Sequence, residues 1–206
     1  MDILACSSCL RKNGLAVFTM RDLAVLLPGD RSILRLQLHQ WARKGWVARL
    51  KRGVYELTYP EHSTIPDFHV ANRLYEPSYV SLETALSHYQ LIPETAAQVT
   101  SVTPKATRRI ENRHGLFIYR TVLAGAFTGY RVMSVGGFQV RMAEPEKSLA
   151  DYLYFAIRDG EGVDPEALRL DIDRIRTLDR AKLFRHAALF GAKASRLKEG
   201  FDALLR

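Results

Sequence analysis

The sequence predicts an α+β protein: an N-terminal winged helix-turn-helix over residues 1–60, then a mixed α/β domain over residues 66–206. Three observations carry this. The stretch LHQWARKGWVARLKRGVYEL, residues 38–57, reads as the end of an amphipathic helix, a glycine stop and a tight β-hairpin. Residues 58–67, TYPEHSTIPD, set two prolines among small polar residues, the composition of a linker. Beyond it, short helical and strand-like stretches are interleaved without internal repeats or low-complexity runs.

Each element of the first part has a local reason. Residues 3–12 can form a helix stopped by Asn13-Gly14. Phe18-Thr19 opens a second, with Thr19 as N-cap, Asp22 at the third helical position as in a capping box, and Leu23, Ala24, Leu26 and Leu27 as its buried face. Pro28-Gly29-Asp30 is a turn, and a third helix runs from about Arg31 to Lys44. Leu34, Leu38 and Trp41 share one face of that helix and should pack on the second. Ser32, Arg35, Leu36, His39 and Arg43 fall on the other side, a mixed polar and basic face. In the hairpin Trp46, Leu50, Val54 and Leu57 can seal the helices from one side. Arg49, Lys51 and Arg52 then remain in solvent, and Gly53 supplies the turn.

In the second part Phe68–Tyr75 and Ser81–Tyr89 read as short helices separated at Pro77. Gln98–Thr103, Gly115–Val122, Gly129–Val135 and Gly137–Met142 read as strands, the last two forming a hairpin around Gly136-Gly137. Glu144–Ile157 is a helix with Pro145 in its first turn, where proline is tolerated. Further helices are expected near 164–175, 179–189 and 192–205.

Charge points to a partner. The formal net charge is +8, and residues 1–60 hold ten Lys/Arg against four Asp/Glu, so most of the excess lies with the helix-turn-helix. A basic helix followed by a basic hairpin suits double-stranded DNA: the helix fits the major groove and the hairpin tip reaches phosphates or the neighbouring minor groove. The expected DNA-binding residues are Ser32, Arg35, Leu36, His39, Arg43, Arg49, Lys51 and Arg52. A second basic stretch, VTPKATRRIENR (102–113), reads as a surface loop, a second DNA contact or a docking face for an acidic protein.

Other chemistry is less well supported. Cys6 and Cys9 form a CxxC, half a zinc site with no matching second half and no βαβ context for redox work; they read as ordinary cysteines of a first helix. Asp171 and Asp173 form a DxD beside Arg169, Arg174 and Arg176 on an expected helix, without a glycine-rich phosphate loop. Lys105 follows a strand but no carboxylate precedes it as a nuclease would need. The histidines show no metal-ligand spacing, and no GxSxG or Ser/His/Asp pattern occurs. No catalytic residue, metal or cofactor is therefore expected. The enzymatic alternative is a winged-helix nuclease or other DNA-directed enzyme, and the other alternative is an interaction protein whose winged helix binds protein. No apolar run approaches the roughly 20 residues that span a bilayer, and no signal-peptide pattern is visible, so a cytoplasmic protein with no membrane partner is expected.

A family resemblance sharpens these readings. Phe18-Thr19 with Leu23-Ala24, the WARKGWVARLKRGVYEL segment, YVSLETALSHYQLIPE, VTSVTPKATRR and AEPEKSLADYLYF follow one another in an order that resembles the AbiEi-type antitoxins, predicted transcriptional regulators of abortive-infection (phage defence) systems. The resemblance runs from about residue 16 to the end; the winged-helix part is unspecific, and SLETALSHY, VTSVTPK and AEPEKSLADYL carry it. It implies a C-terminal antitoxin domain and repression of the protein's own promoter through inverted repeats. It also implies a type IV toxin–antitoxin pair, in which a nucleotidyltransferase toxin is counteracted without a stable complex. By resemblance, Ser81, Glu83, Thr84, Lys105, Arg108 and Arg109 would serve the antitoxin role, although Ser81, Glu83 and Thr84 also fit the start of a helix.

Overall fold

The computed structural model describes residues 2–27, 29–59, 64–160 and 162–205. Pro28 of the expected turn and residues 60–63 of the expected linker lie outside the described residues. The first segment builds α1 (Ile3–Lys12), β1 (Val17–Thr19), α2 (Met20–Leu26), α3 (Arg31–Arg43), β2 (Val47–Lys51) and β3 (Val54–Leu57). Asp2 caps α1 and Asp30 caps α3, each through a side-chain oxygen that accepts a backbone N–H two residues on. Thr19 and Asp22 close the expected capping box on α2. The strand β1 was not expected: VFT is too short to show a period, and only the open edge of β3 makes it a strand. The three strands form an antiparallel sheet in the order β1-β3-β2.

The rest of the chain forms α4 (Asp67–Leu74), β4 (Tyr79–Val80), α5 (Leu82–His88), β5 (Val99–Thr103), β6 (Arg108–Asn112), β7 (Gly115–Thr121), β8 (Tyr130–Val135), β9 (Phe138–Ala143), α6 (Pro145–Asp159), α7 (Ile172–Ile175), α8 (Arg180–Ala188) and α9 (Ala194–Leu204). A mixed sheet runs β6-β7-β5-β4-β9-β8, with β5/β7 and β4/β9 parallel and the other pairs antiparallel. The protein is thus mixed α+β with two sheets. Three readings change. Residues 108–112 are a strand and not a loop, β4 interrupts the two expected helices, and the helix expected near 164–175 shrinks to 172–175. Arg169 sits at φ +53°, a conformation that no helix continues through.

Strand alternation distributes the core. Tyr79 faces α5, α6, α8 and α9 together with Val102 and Ala143, while its neighbour Val80 points the other way with Phe117, Tyr119, Val140 and Met142, towards α4. The small sheet is also two-faced. Phe18, Val47, Tyr55 and Leu57 pack on α1–α3, whereas Val17, Leu50 and Val54 turn to α4 and the large sheet. This corrects the expected role of Leu50 and Val54, which seal the seam to the second part instead of the helices. Burial of an aliphatic side chain contributes roughly 1.5–3 kcal/mol, so these residues hold the hairpin firmly against the body.

Polar contacts complete the seam. The Arg73 guanidinium on α4 donates to the Val17 carbonyl (3.1 Å) and to Asp22 (2.7 Å), the carboxylate that also accepts from the Thr19 backbone. His114, in the turn between β6 and β7, lies between Glu56 of β3 and Asp67 of α4. Among the described residues no helix is long and apolar enough to cross a membrane.

Candidate nucleic-acid interface

The helix α3 is anchored on one side and open on the other. Leu34, Leu38 and Trp41 are each 3% exposed. Ser32, Arg35, Leu36, His39 and Arg43 are all exposed, as the sequence periodicity predicts. Ile33 also lies in solvent, at 57%, beside Leu36 at 56%. Ile33 belongs to neither face that the periodicity defines; an exposed apolar pair on a cationic helix is suited to thymine methyl groups. The helix contains no carboxylate within Arg31–Arg43, so nothing on it opposes Arg31, Arg35 and Arg43.

Among the basic residues of the hairpin, one departs from expectation. Arg49 and Arg52 are exposed, and Gly53 turns at φ +80°. Lys51 is half-buried, because the ladder slips between Arg49 and Lys51 and re-aims the strand. Its ammonium lies 5.5 Å from the centre of the Tyr75 ring. Lys105 and Arg108 approach the same ring at 5.7 Å and 5.9 Å. Burial, then Arg108 and Lys105, pull the Lys51 pKa below the ordinary lysine value. The Tyr75 hydroxyl donates to the Ala106 carbonyl (3.0 Å), and the Lys105 ammonium donates to the Glu76 carbonyl, which fix the β5–β6 turn beneath the hairpin. The Glu76 carboxylate is held by Arg73 and Arg141. Lys51 and Lys105, 54 positions apart in the chain, thus meet with Arg108 on one aromatic ring. Lys105, Arg108 and Arg109 are exposed. Tyr75 is the organising residue that sequence reasoning missed, since a tyrosine ending a helix carries no signal of what converges on it.

Ser81, Glu83 and Thr84 are placed elsewhere. Ser81 is fully buried and occupies the N-cap position of α5 without a side-chain cap bond; its hydroxyl donates instead to Asp151 (2.8 Å). The Tyr79 hydroxyl donates to the same carboxylate oxygen (3.0 Å), and the Lys147 ammonium donates to the other. All four side chains are sealed from solvent. The Thr84 hydroxyl donates to the Gln98 carbonyl (3.0 Å) and accepts the Thr100 N–H (2.8 Å), while the Thr100 hydroxyl donates to the Ser81 carbonyl (2.8 Å). The SLETALSHY, VTSVTPK and AEPEKSLADYL segments therefore meet in a buried polar network that joins β4, α5, β5 and α6. Glu83 is half-buried next to them.

Among the described residues no three His, Cys, Asp or Glu side chains gather as metal ligands. Asp171 caps α7 by accepting the Arg174 N–H (3.0 Å), and Asp173 points to solvent with Arg176 4.0 Å away. Cys6 is buried in α1 and Cys9 half-buried; burial, reinforced by Cys9, pushes the Cys6 thiol up to about 11. No protein-family model matches the chain, and no curated protein matches it.

Proposed function

We propose that the protein is a winged helix-turn-helix regulator that binds double-stranded DNA at its own promoter. The observation that carries this reading is α3: its apolar side is pinned by Leu34, Leu38 and Trp41, while Ser32, Arg35, Leu36, His39 and Arg43 are exposed on its other side. The order α1-β1-α2-α3-β2-β3, with strands arranged β1-β3-β2, supports the winged-helix assignment. In this reading α3 enters the major groove, Arg35 and Arg43 meet base edges or phosphates, and Arg49, Lys51 and Arg52 follow the flanking backbone. Lys105, Arg108 and Arg109 extend that cationic strip from the second part of the chain.

The resemblance to the AbiEi-type antitoxins adds the biological setting: repression through inverted repeats, and counteraction of a nucleotidyltransferase toxin without a stable complex. Within it, Lys105, Arg108 and Arg109 are exposed and can meet a partner, although the Lys105 ammonium already donates to the Glu76 carbonyl. Ser81 and Thr84 serve by shaping the domain, because their hydroxyls are already engaged. Fluorescence anisotropy with the DNA upstream of the gene, against a shuffled duplex of equal length, tests the binding half. Tighter binding to the native duplex, weakening steeply with salt, is expected; equal binding to both removes sequence-specific regulation. Co-expression with a nucleotidyltransferase encoded beside the gene tests the antitoxin half, with growth rescue expected.

A further inference from the structure

We propose that His114 is a proton-dependent latch that clamps the N-terminal sheet and α4 onto the β6–β7 turn. Its imidazole is wedged between two acids. Nε2 lies 3.0 Å from Glu56 Oε2 on β3, and Nδ1 lies 3.1 Å from Asp67 Oδ1 at the start of α4. The turn itself is set by the Asn112 side chain, which accepts the His114 N–H (2.9 Å). Arg113 adds a guanidinium 3.7 Å from the same Glu56 oxygen.

Hydrogen-bond inventory gives the latch its proton dependence. An ionised carboxylate only accepts, and a neutral imidazole donates from one nitrogen alone. Both contacts are satisfied together only by the imidazolium. When it loses a proton, one carboxylate faces a lone pair. The two acids differ in what they can do then. Glu56 has a side chain only 8% exposed and keeps Arg113, whereas Asp67 is 50% exposed and can take water instead. The remaining N–H therefore stays on Glu56, and the α4 contact opens. The sign follows from the donor count: the two-sided contact needs both ring N–H groups, so it belongs to acidic solution and opens in alkaline solution. Glu56 lies on the same strand as Val54, so the latch secures the strand that carries the hairpin. This inference does not depend on what the hairpin binds.

The test is a double-variant cycle on the full chain, with His114→Gln, Asp67→Asn and both together, read by thermal melting in acidic and in alkaline solution, at about pH 5.5 and about pH 8.5. Both positions are in a turn or at an exposed helix start, and the wild-type melt at each pH supplies the reference for folding. At the lower pH the two substitutions should be non-additive by about 2–4 °C, the displacement expected for a partly buried contact in a chain of this size. At the higher pH they should be additive. Non-additivity that is equal at both pH values, absent at both, or confined to the higher pH overturns the latch.

Discussion

Asp151 illustrates how much one side chain can hold. It neutralises Lys147 and accepts from Tyr79 and Ser81, all without access to water. Replacement by alanine strands a buried ammonium and leaves two hydroxyls without their acceptor. A loss of about 3–5 kcal/mol in urea unfolding is expected; a loss below about 1 kcal/mol would mean the network relaxes into solvent. Cys6 and Cys9 make a second residue-level case. Because the buried Cys6 thiol is pushed up to about 11, it stays protonated near pH 8. A thiol reagent at that pH should label Cys9 well before Cys6, and mass mapping of the modified peptides reads the order. Equal rates would place Cys6 at the surface and contradict its packing with Leu10 and Phe18.

At the scale of elements, the hairpin combines two tasks. Leu50 and Val54 pin it to the body, and its cations face outward or towards Tyr75. Neutralising Lys51 and Arg52 together should lower DNA affinity and reduce the slope of log K against log salt by about two units at most, one per lost phosphate contact. An unchanged slope, measured by the same anisotropy titration at several salt concentrations, would make the hairpin purely structural. The helix α3 was legible in the sequence because Leu34, Leu38 and Trp41 keep a 3.6 period and Asp30 caps it. The hairpin was legible from its alternation, but its second buried face was not: Leu50 and Val54 looked like partners of nearby helices, and only the tertiary fold supplies α4. Strand β6 was hidden for a related reason. RRIEN is an edge strand whose charges lie in water, so its period is too weak to separate it from a loop. The Ser81 hydroxyl looked like a cap because Ser before a helix usually caps; its actual partner lies 70 residues away.

For the whole molecule, the seam decides how independent the two parts are. Residues 66–206 contain the large sheet and the core around Leu149, Leu153 and Phe201, and are expected to fold alone. Removal of residues 1–60 would take Ala16, Val17, Leu50 and Val54 out of the cluster they share with Val70 and Leu74 and would release Arg73 from Asp22. The fragment is therefore expected to melt cooperatively but at a lower midpoint than the full chain, by circular dichroism. The absence of a cooperative melt would show that the small sheet is an obligatory part of its core.

The reading of the entire chain rests on α3 meeting DNA. Its most direct measurement is the affinity of Arg35→Ala and Arg43→Ala for the protein's own promoter, beside wild type at fixed salt. Both side chains are exposed, so neither substitution disturbs the Leu34–Leu38–Trp41 face. A base-reading arginine should lose about 1–3 kcal/mol, with relaxed specificity at one position, and a phosphate contact should give a uniform weakening with a shallower salt slope. Wild-type affinity and specificity in both variants would take α3 out of the DNA interface and contradict the account.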